Sequence, residues 1–553
     1  MTAPSPAPSQ GPGQLPVLPG RGRTYAFLAG AVATLLTMSV AIPLALGDRP
    51  QSGAQGDSLA VGQIAGAPGG ITPGAPLTGS AAPDAGGSLA GGGPVTDAPA
   101  AGPRSAGQTG AGLVGGSGGS GTGGDAAAGA PGSGSASASG GGTGKAAAPV
   151  ARTASDQGVT ATTLTVGAFL IDFGRASDAG ATVPGYDTAA QKRYVDAYVK
   201  GTNARGGIGG RTLVVKYRKV DITDQQTMRD ACTSFGQTDR VFAVLQVLGV
   251  YGDPILKCAV DQKLPFISND GAVSSYYPAA KGYLITTQPS TRRTVLNMEY
   301  ELNRIGEFKG KKLGVLYEDG YLAPDSKAVV TALKGHGYTA VEGVTSSSDV
   351  ALALRQLPII AQDFCSKGVD YVLLLVNELY ADQFHSNAER FANCRPSYAV
   401  SDFDFQMNGD AFLDGQNDSF FNRLLSVTSG RVGEGRVGKP EPAADATCRQ
   451  TFERQTGSRL NRNAADSNYF NALAVCGVTT VLQRGVEAAG VNPTRDSFVR
   501  AVGGIGAFSN PAYGPSAFTS SRYDAPEAVR ISRAFLSCKC WKPQTDLFAA
   551  HFR

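Results

Sequence analysis

The chain has three histidines, His336, His385 and His551, and these are its only imidazoles. Imidazole is the side chain best suited to general-base work near neutral pH, and hydrolysis would need one beside a nucleophile and an orienting acid. His336 stands in Lys-Gly-His-Gly-Tyr, a helix-end turn where it serves as a C-terminal cap, His385 falls within a helix among charged residues, and His551 is two residues from the end. Asp402 and Asp404 alternate at the end of one strand, a pairing equally suited to acid–base work and to holding a cationic group. Gly115, Gly116, Ser117, Gly118 and Gly119 match the nucleophile-elbow pattern, but that pattern requires a strand before it and a helix after it, and neither is predicted here. The glycines at 206, 207, 209 and 210 fail the dinucleotide fingerprint, because Thr212 occupies the place of the third glycine and the segment follows a helix. Zinc-type C-x-x-C spacing is absent. These residues argue against an exported hydrolase, imply no cofactor and no metal, and turn attention to binding.

In open α/β sheets a ligand sits beyond the C-terminal ends of the strands. The polar residues just past each predicted strand are Asp172, Gln246 with the loop to Tyr251, and Ser268, Asn269 and Asp270 in the first half of the fold. In the second half they are Tyr317, Glu318 and Tyr321, then Asn377, Glu378 and Tyr380, then Asp402 and Asp404. Asp, Asn and Ser also favour caps and turns at such positions for purely local reasons.

The elements that must carry these residues follow from periodicity. From Leu164 onward, short β-branched runs alternate with longer amphipathic stretches, the pattern of parallel strands joined by crossover helices. Strands are predicted over 164–169, 212–215, 241–246 and 265–268, with helices over 187–200, 224–237 and 253–262. The pattern then repeats, with strands over 312–317, 339–344, 371–376 and 398–401 and helices over 291–305, 325–334, 350–367 and 379–393. Further helices are expected over 466–489 and 494–502, and a strand over 528–537.

The preceding segment is of a different kind. No aromatic residue occurs between Phe27 and Phe169, and a stretch of Gly, Ala, Ser and Pro cannot bury enough apolar surface to offset the entropy of ordering it. Residues 24–46 carry no charge and as a helix would span about 35 Å, enough for a bilayer core. Arg21 and Arg23 precede the run, which places the N-terminus in the cytoplasm and the body outside. The run is longer than a signal-peptide core, which favours an uncleaved anchor, and the first cysteine, Cys232, is too distant for N-terminal lipid attachment. The expected organisation is a cytoplasmic tail (1–23), a transmembrane anchor (24–47) and a disordered linker (48–157) with an end-to-end distance of about 55 Å, followed by the body. A net charge of +4 with interspersed signs shows no basic stripe for nucleic acid.

Particular stretches carry a resemblance. Gly158-Val-Thr-Ala-Thr-Thr-Leu-Thr-Val-Gly, the helix end from Tyr194 through Asn203-Ala-Arg-Gly-Gly-Ile-Gly-Gly-Arg211, Arg240-Val-Phe-Ala-Val-Leu, Leu264-Pro-Phe-Ile-Ser and Asn468-Tyr-Phe-Asn-Ala-Leu-Ala resemble the type I periplasmic solute-binding proteins of the branched-chain amino acid (Leu/Ile/Val) ABC transporter family. The likeness implies an α/β fold of two Rossmann-like lobes with three hinge crossovers, lobe one being 158–289 with 428–516 and lobe two 290–427 with 517–553. It implies a monomer that captures a small polar ligand for a transporter permease, with Ser268 toward a ligand carboxylate and Asp402 or Asp404 toward an amine. Val247, Leu248, Gly249 and Val250 depart from the Gly and Ser or Thr usual in that loop, which opens the ligand class to amides, ureas, aromatic acids and peptides. A sensing or scavenging ectodomain is the alternative, and with about 22 cytoplasmic residues by span arithmetic it would need a partner membrane protein.

All eight cysteines lie in the exported body, and an even number outside the cell points to disulfides. Cys232 and Cys258 fall on helices flanking one strand, and the resembling family often has a bridge at the matching place. Sequence neighbourhood adds Cys365 with Cys394, Cys448 with Cys476 and Cys538 with Cys540.

Overall fold

A computed structural model of the chain describes residues 150–172, 187–221, 224–246, 253–402, 409–410, 413, 416–464 and 466–552. The predicted anchor and residues 48–149 of the predicted linker lie outside these residues, whereas 150–157, also expected as disordered linker, are ordered against the body, the Thr153 N–H donating to Asn492 at 2.8 Å and Asp156 accepting from the Arg495 N–H at 2.6 Å. Among the described residues no helix is long and apolar enough to cross a membrane.

The first half alternates strand and helix. β1 (Thr163–Asp172) leads to α1 (Thr188–Ala204), β2 (Thr212–Asp221), α2 (Gln225–Thr233), β3 (Val244–Gln246), α3 (Asp253–Asp261), β4 (Phe266–Ser268), α4 (Tyr276–Ala280) and β5 (Leu284–Thr286). The five strands are parallel, in the order β2-β1-β3-β4-β5. Both faces of β1 are covered. Leu164, Val166 and Ala168 enter one apolar cluster and Phe169 and Ile171 another, so β1 reads as a continuous apolar run, as a doubly covered parallel strand should.

The second half repeats the pattern: α5 (Thr291–Arg304), β6 (Leu313–Glu318), α6 (Ala323–Gly335), β7 (Ala340–Thr345), α7 (Val350–Ser366), β8 (Tyr371–Leu375), α8 (Glu378–Ala388), β9 (Ser397–Ser401), α9 (Asp418–Phe421) and β10 (Leu424–Thr428). The chain then supplies α10 (Ala443–Thr456), α11 (Asn468–Ala488), α12 (Arg495–Gly503) and the hairpin β11 (Gly506–Asn510) with β12 (Gly514–Phe518), all packed on the first sheet through a cluster that joins Leu164 and Ile285 to Phe452, Leu473, Phe498 and Phe518. β13 (Ala528–Phe535), β14 (Cys540–Pro543) and β15 (Phe548–Ala549) finally return to the second sheet, whose order is β14-β13-β10-β9-β8-β6-β7 with β15 on β13. β6 to β10 are mutually parallel, while β13 is antiparallel to β10. The chain therefore passes between the two layered lobes after β5, after β10 and after β12.

Local chemistry explains the joins. Asp187 caps α1 by accepting from the Ala190 N–H at 2.8 Å. At the far end Gly207 has φ +78°, and a Cβ there would lie 1.9 Å from the Arg211 carbonyl oxygen. The glycine run is thus a helix-to-strand reversal, and buried Arg211 locks it by donating to the Thr160 carbonyl at 2.7 Å. The outer crossings are tied together where Asp524 accepts from the Ser290 N–H at 2.6 Å and pairs with Arg293 at 2.9 Å. All four expected disulfides are present, Cys232–Cys258, Cys365–Cys394, Cys448–Cys476 and Cys538–Cys540.

Candidate site at the hinge between the lobes

Most of the residues singled out past the strand ends turn inward and hold the fold. Ser268 is fully buried, and its hydroxyl accepts from the Asp270 N–H at 3.1 Å, a turn contact. Asn269 is buried as well. Its amide donates to Asp270 at 3.2 Å and its oxygen accepts from the Tyr513 hydroxyl at 3.0 Å, while Gln288 donates to the same hydroxyl at 2.8 Å. Asn269 therefore secures the fourth-strand loop to the hairpin side of the lobe.

In the second lobe, Tyr317 points into the apolar layer with Val315 and Leu333, and its hydroxyl donates to Glu342 at 2.7 Å. Burial, with Glu342 beside it, pushes that hydroxyl above its ordinary pKa. Tyr317 is thus packed in the core of the second lobe. Glu318 accepts from the Asn377 N–H (2.9 Å) and side-chain amide (3.1 Å), joining the ends of β6 and β8. Asn377 caps α8 by accepting from the Tyr380 N–H at 3.0 Å, and Tyr380 is buried in the core. Tyr321 lies half-buried in the short 3-10 turn Gly320–Leu322. Asp172 is half-exposed and pairs with Lys219 at 3.4 Å, and Gln246 is fully buried.

Asp402, expected to meet a ligand amine, is buried and already engaged. It accepts from the Ser429 N–H and hydroxyl, both at 2.6 Å, and from the Thr428 hydroxyl. Burial pushes its carboxyl upward, against those hydrogen bonds and the charge of Arg530. Its role is to fasten the hinge strand β10 to β9. Asp404 and the loop 247–251 lie outside the described residues.

The open space lies elsewhere. A recess enclosing about 30 Å³, room for about one water molecule, is bounded by Gly409 and Asp410 from the segment after β9, Arg431, Val432, Gly433 and Arg436 from the crossing after β10, Asp445 of α10, and the approach to α11 from Arg462 to Phe470. Both lobes contribute to its wall. Beneath it, three guanidinium groups share one carboxylate: Glu434 accepts from Arg431 (3.2 Å), from Arg462 (3.2 Å) and from Arg530. Burial pushes Glu434 upward, but Arg530 and Arg431 outweigh it and hold the carboxyl below the usual range. Arg436 pairs with Asp410, which also accepts from the Trp541 N–H at 2.8 Å. Gly433, at φ +81°, lets this wall close on β14, since a Cβ there would lie 2.2 Å from the Trp541 carbonyl oxygen. Tyr469 donates to Glu441 at 2.9 Å.

Asp445 is the unusual member. It is 2% exposed, one of its carboxyl oxygens has no hydrogen-bond partner, and burial raises its pKa to about 7 despite nearby Arg431 and Arg462. Near neutral pH it is therefore able to accept from a ligand N–H when ionised and to donate when protonated. Across the molecule the lobes also meet directly, where Ser274 donates its N–H to Asp325 of α6 at 2.7 Å.

Sequence reasoning missed Arg431, Glu434, Arg436, Asp445, Arg462 and the role of Tyr469. The available signal was the run Arg-Val-Gly-Glu-Gly-Arg at 431–436, which has meaning only once β10 is recognised immediately before it.

No protein-family model matches the chain, and no curated protein matches it. Solved structures share its fold. A fatty acid ABC transporter substrate-binding protein from Thermomonospora curvata is 16% identical with a TM-score of 0.55, over 72% of this chain and 95% of that one. A solute binding protein of an ABC transporter from Rhodopseudomonas palustris BisB5, in complex with 3,4-dihydroxy benzoic acid, is 14% identical with a TM-score of 0.52, over 70% and 98%. The branched-chain amino acid transporter substrate binding protein LivJ from Streptococcus pneumoniae, in complex with isoleucine, is 14% identical with a TM-score of 0.51, over 70% and 100%. At these identities the likeness establishes the fold, two parallel-sheet lobes flanked by helices.

Proposed function

We propose that this chain is an extracytoplasmic solute-binding protein that captures a small polar ligand between its lobes and delivers it to an ABC-type transport permease. The observation that carries the reading is the recess walled by both lobes at the crossing after β10, where Arg431, Arg436, Arg462, Asp445 and Tyr469 converge; it is smaller than a solute as the lobes stand, so capture requires the lobes to part around it. A two-lobed fold hinged at a few strand crossings is suited to closing around such a solute. The solved neighbours support the same class of activity, since those described bind a hydroxylated benzoic acid and an aliphatic amino acid.

In this reading the apolar run 24–46 tethers the body at the outer face of the cell membrane, and the long Gly, Ala, Ser and Pro segment gives it reach. The ligand classes to try are amino acids, amides, short peptides and aromatic acids. The test is a thermal-shift screen of the intact chain against these classes. A solute at a hundred times its Kd stabilises a protein by about 2.7 kcal/mol, and the same solute should lose its effect when Tyr469→Ala or Asp445→Ala is introduced. A folded protein that no member of the panel stabilises would refute capture of these solutes.

A further inference from the structure

We propose that Arg530, Ser426 and Ser532 form a buried site for a small anionic group, either a halide or the carboxylate end of an organic acid. The site lies within the second sheet, where β10 and β13 pair. Ser426 stands directly opposite Ser532, and Thr428 directly opposite Arg530. Residues two apart on a strand share a face, so all four side chains leave the same side of the sheet. That side carries Leu424, Ala534 and Trp541 into an apolar layer, whereas Leu425, Val427 and Ile531 serve the opposite layer.

Arg530, Ser426 and Ser532 are each fully buried. Arg530 gives Nη2 to Glu434, but its Nε and Nη1 have no partner, and neither do the hydroxyls of Ser426 and Ser532. Side chains directly opposite in such a pair sit about 5 Å apart at Cβ, with diagonal neighbours about 7 Å apart, so these donors share one small region of that face. Burying polar hydrogens against an apolar layer is unfavourable unless something accepts them.

Charge decides what should accept them. The negative groups near Arg530 are Glu434 and Asp402. Glu434 is shared with Arg431 and Arg462, and Asp402 is occupied by Thr428 and Ser429. Glu434 takes all three guanidiniums, with Asp402 and Asp445 beside them, and the donors left over on Arg530, Nε and Nη1, belong to a cationic group, which an anion suits better than a water molecule. The site stands whether or not the cavity above it captures a solute.

The experiment uses the intact chain in two arms. Crystals grown in sodium bromide should show an anomalous peak within about 3.5 Å of Arg530 Nε and the two serine hydroxyls. In solution, replacing gluconate by chloride at constant ionic strength should raise Tm by about 3 °C at a hundredfold excess over Kd. Arg530→Met should abolish the shift. Because that variant risks misfolding, the Ser426→Ala/Ser532→Ala pair provides a second test and should weaken chloride at least tenfold. If propionate protects and propionamide does not, while bromide leaves no peak, the anion is a carboxylate end. Equal melting in chloride and gluconate, no discrimination between propionate and propionamide, and water density at the site would overturn the proposal.

Discussion

Asp445 allows a prediction to be worked through in full. Its folded pKa is about 7, against about 3.9 for an unperturbed aspartate. A carboxyl whose pKa is raised by folding binds more protons in the native state than in the unfolded chain, so its contribution to stability falls as pH rises between the two values. Below about pH 4 the group is neutral in both states and costs nothing; above about pH 7 it is charged in both, and the full penalty applies. A shift of about 3 units corresponds to about 4 kcal/mol, which for a body of roughly 400 residues is about 5 °C in Tm. Asp445→Asn removes the titration while keeping the shape. The variant should match the parent at pH 4, gain progressively through pH 5 and 6, and lead by about 4 kcal/mol above pH 7.5. Urea unfolding of both chains across that range measures the difference, and the subtraction cancels other buried carboxyls such as Asp402 and Asp410, which burial shifts in the same direction. Parallel profiles from pH 4 to 8 would show that Asp445 is not the strained group described here.

Other outcomes follow from the same contacts. Glu434→Gln removes the carboxylate that three arginines share and should destabilise the chain by about 3–5 kcal/mol in denaturant titrations. Tyr317→Phe should cost only about 1 kcal/mol, the worth of its bond to Glu342, and leave solute affinity unchanged in calorimetry. Asp402→Ala, which strips the hinge strand of its acceptor, should cost about 2–4 kcal/mol of stability. Replacing Cys448 and Cys476 by Ala should cost about 3–4 kcal/mol because the bridge closes a long loop, whereas replacing Cys538 and Cys540 should cost about 1–2 kcal/mol in the same melts.

The fold was legible where periodicity and length were both strong. Long amphipathic helices such as α1 and α7 and apolar strands such as β6 and β8 lie within a few residues of their predicted spans, and the disulfides followed from neighbourhood along the chain. The elements that escaped carry weak signals. β5 has three residues, the hairpin β11–β12 is built of Gly, Ser, Ala and Phe, and α10 hides its buried face behind Asp445, Cys448 and Thr451. β10 escaped because Leu-Leu-Ser-Val-Thr is short and only partly β-branched, and with it went the crossing that bears the arginines. The candidate residues carry an ambiguous signal for a related reason. A polar side chain past a strand end is as well suited to fastening neighbouring loops as to meeting a ligand, and Ser268, Asn269, Asn377 and Asp402 all make fastening bonds.

Trp541 is the chain's single tryptophan; its backbone N–H meets Asp410 and its carbonyl lies against Gly433, two residues of the recess wall, while its indole is buried in the second lobe's apolar layer. Its fluorescence therefore follows a solute only through movement of that wall. Titrating the intact chain with the solute that most raises its melting temperature should change Trp541 emission saturably, with the Kd found by calorimetry, and Tyr469→Ala should weaken both readings together. A solute that binds Tyr469→Ala as tightly as the parent would place binding outside this cavity and contradict the account.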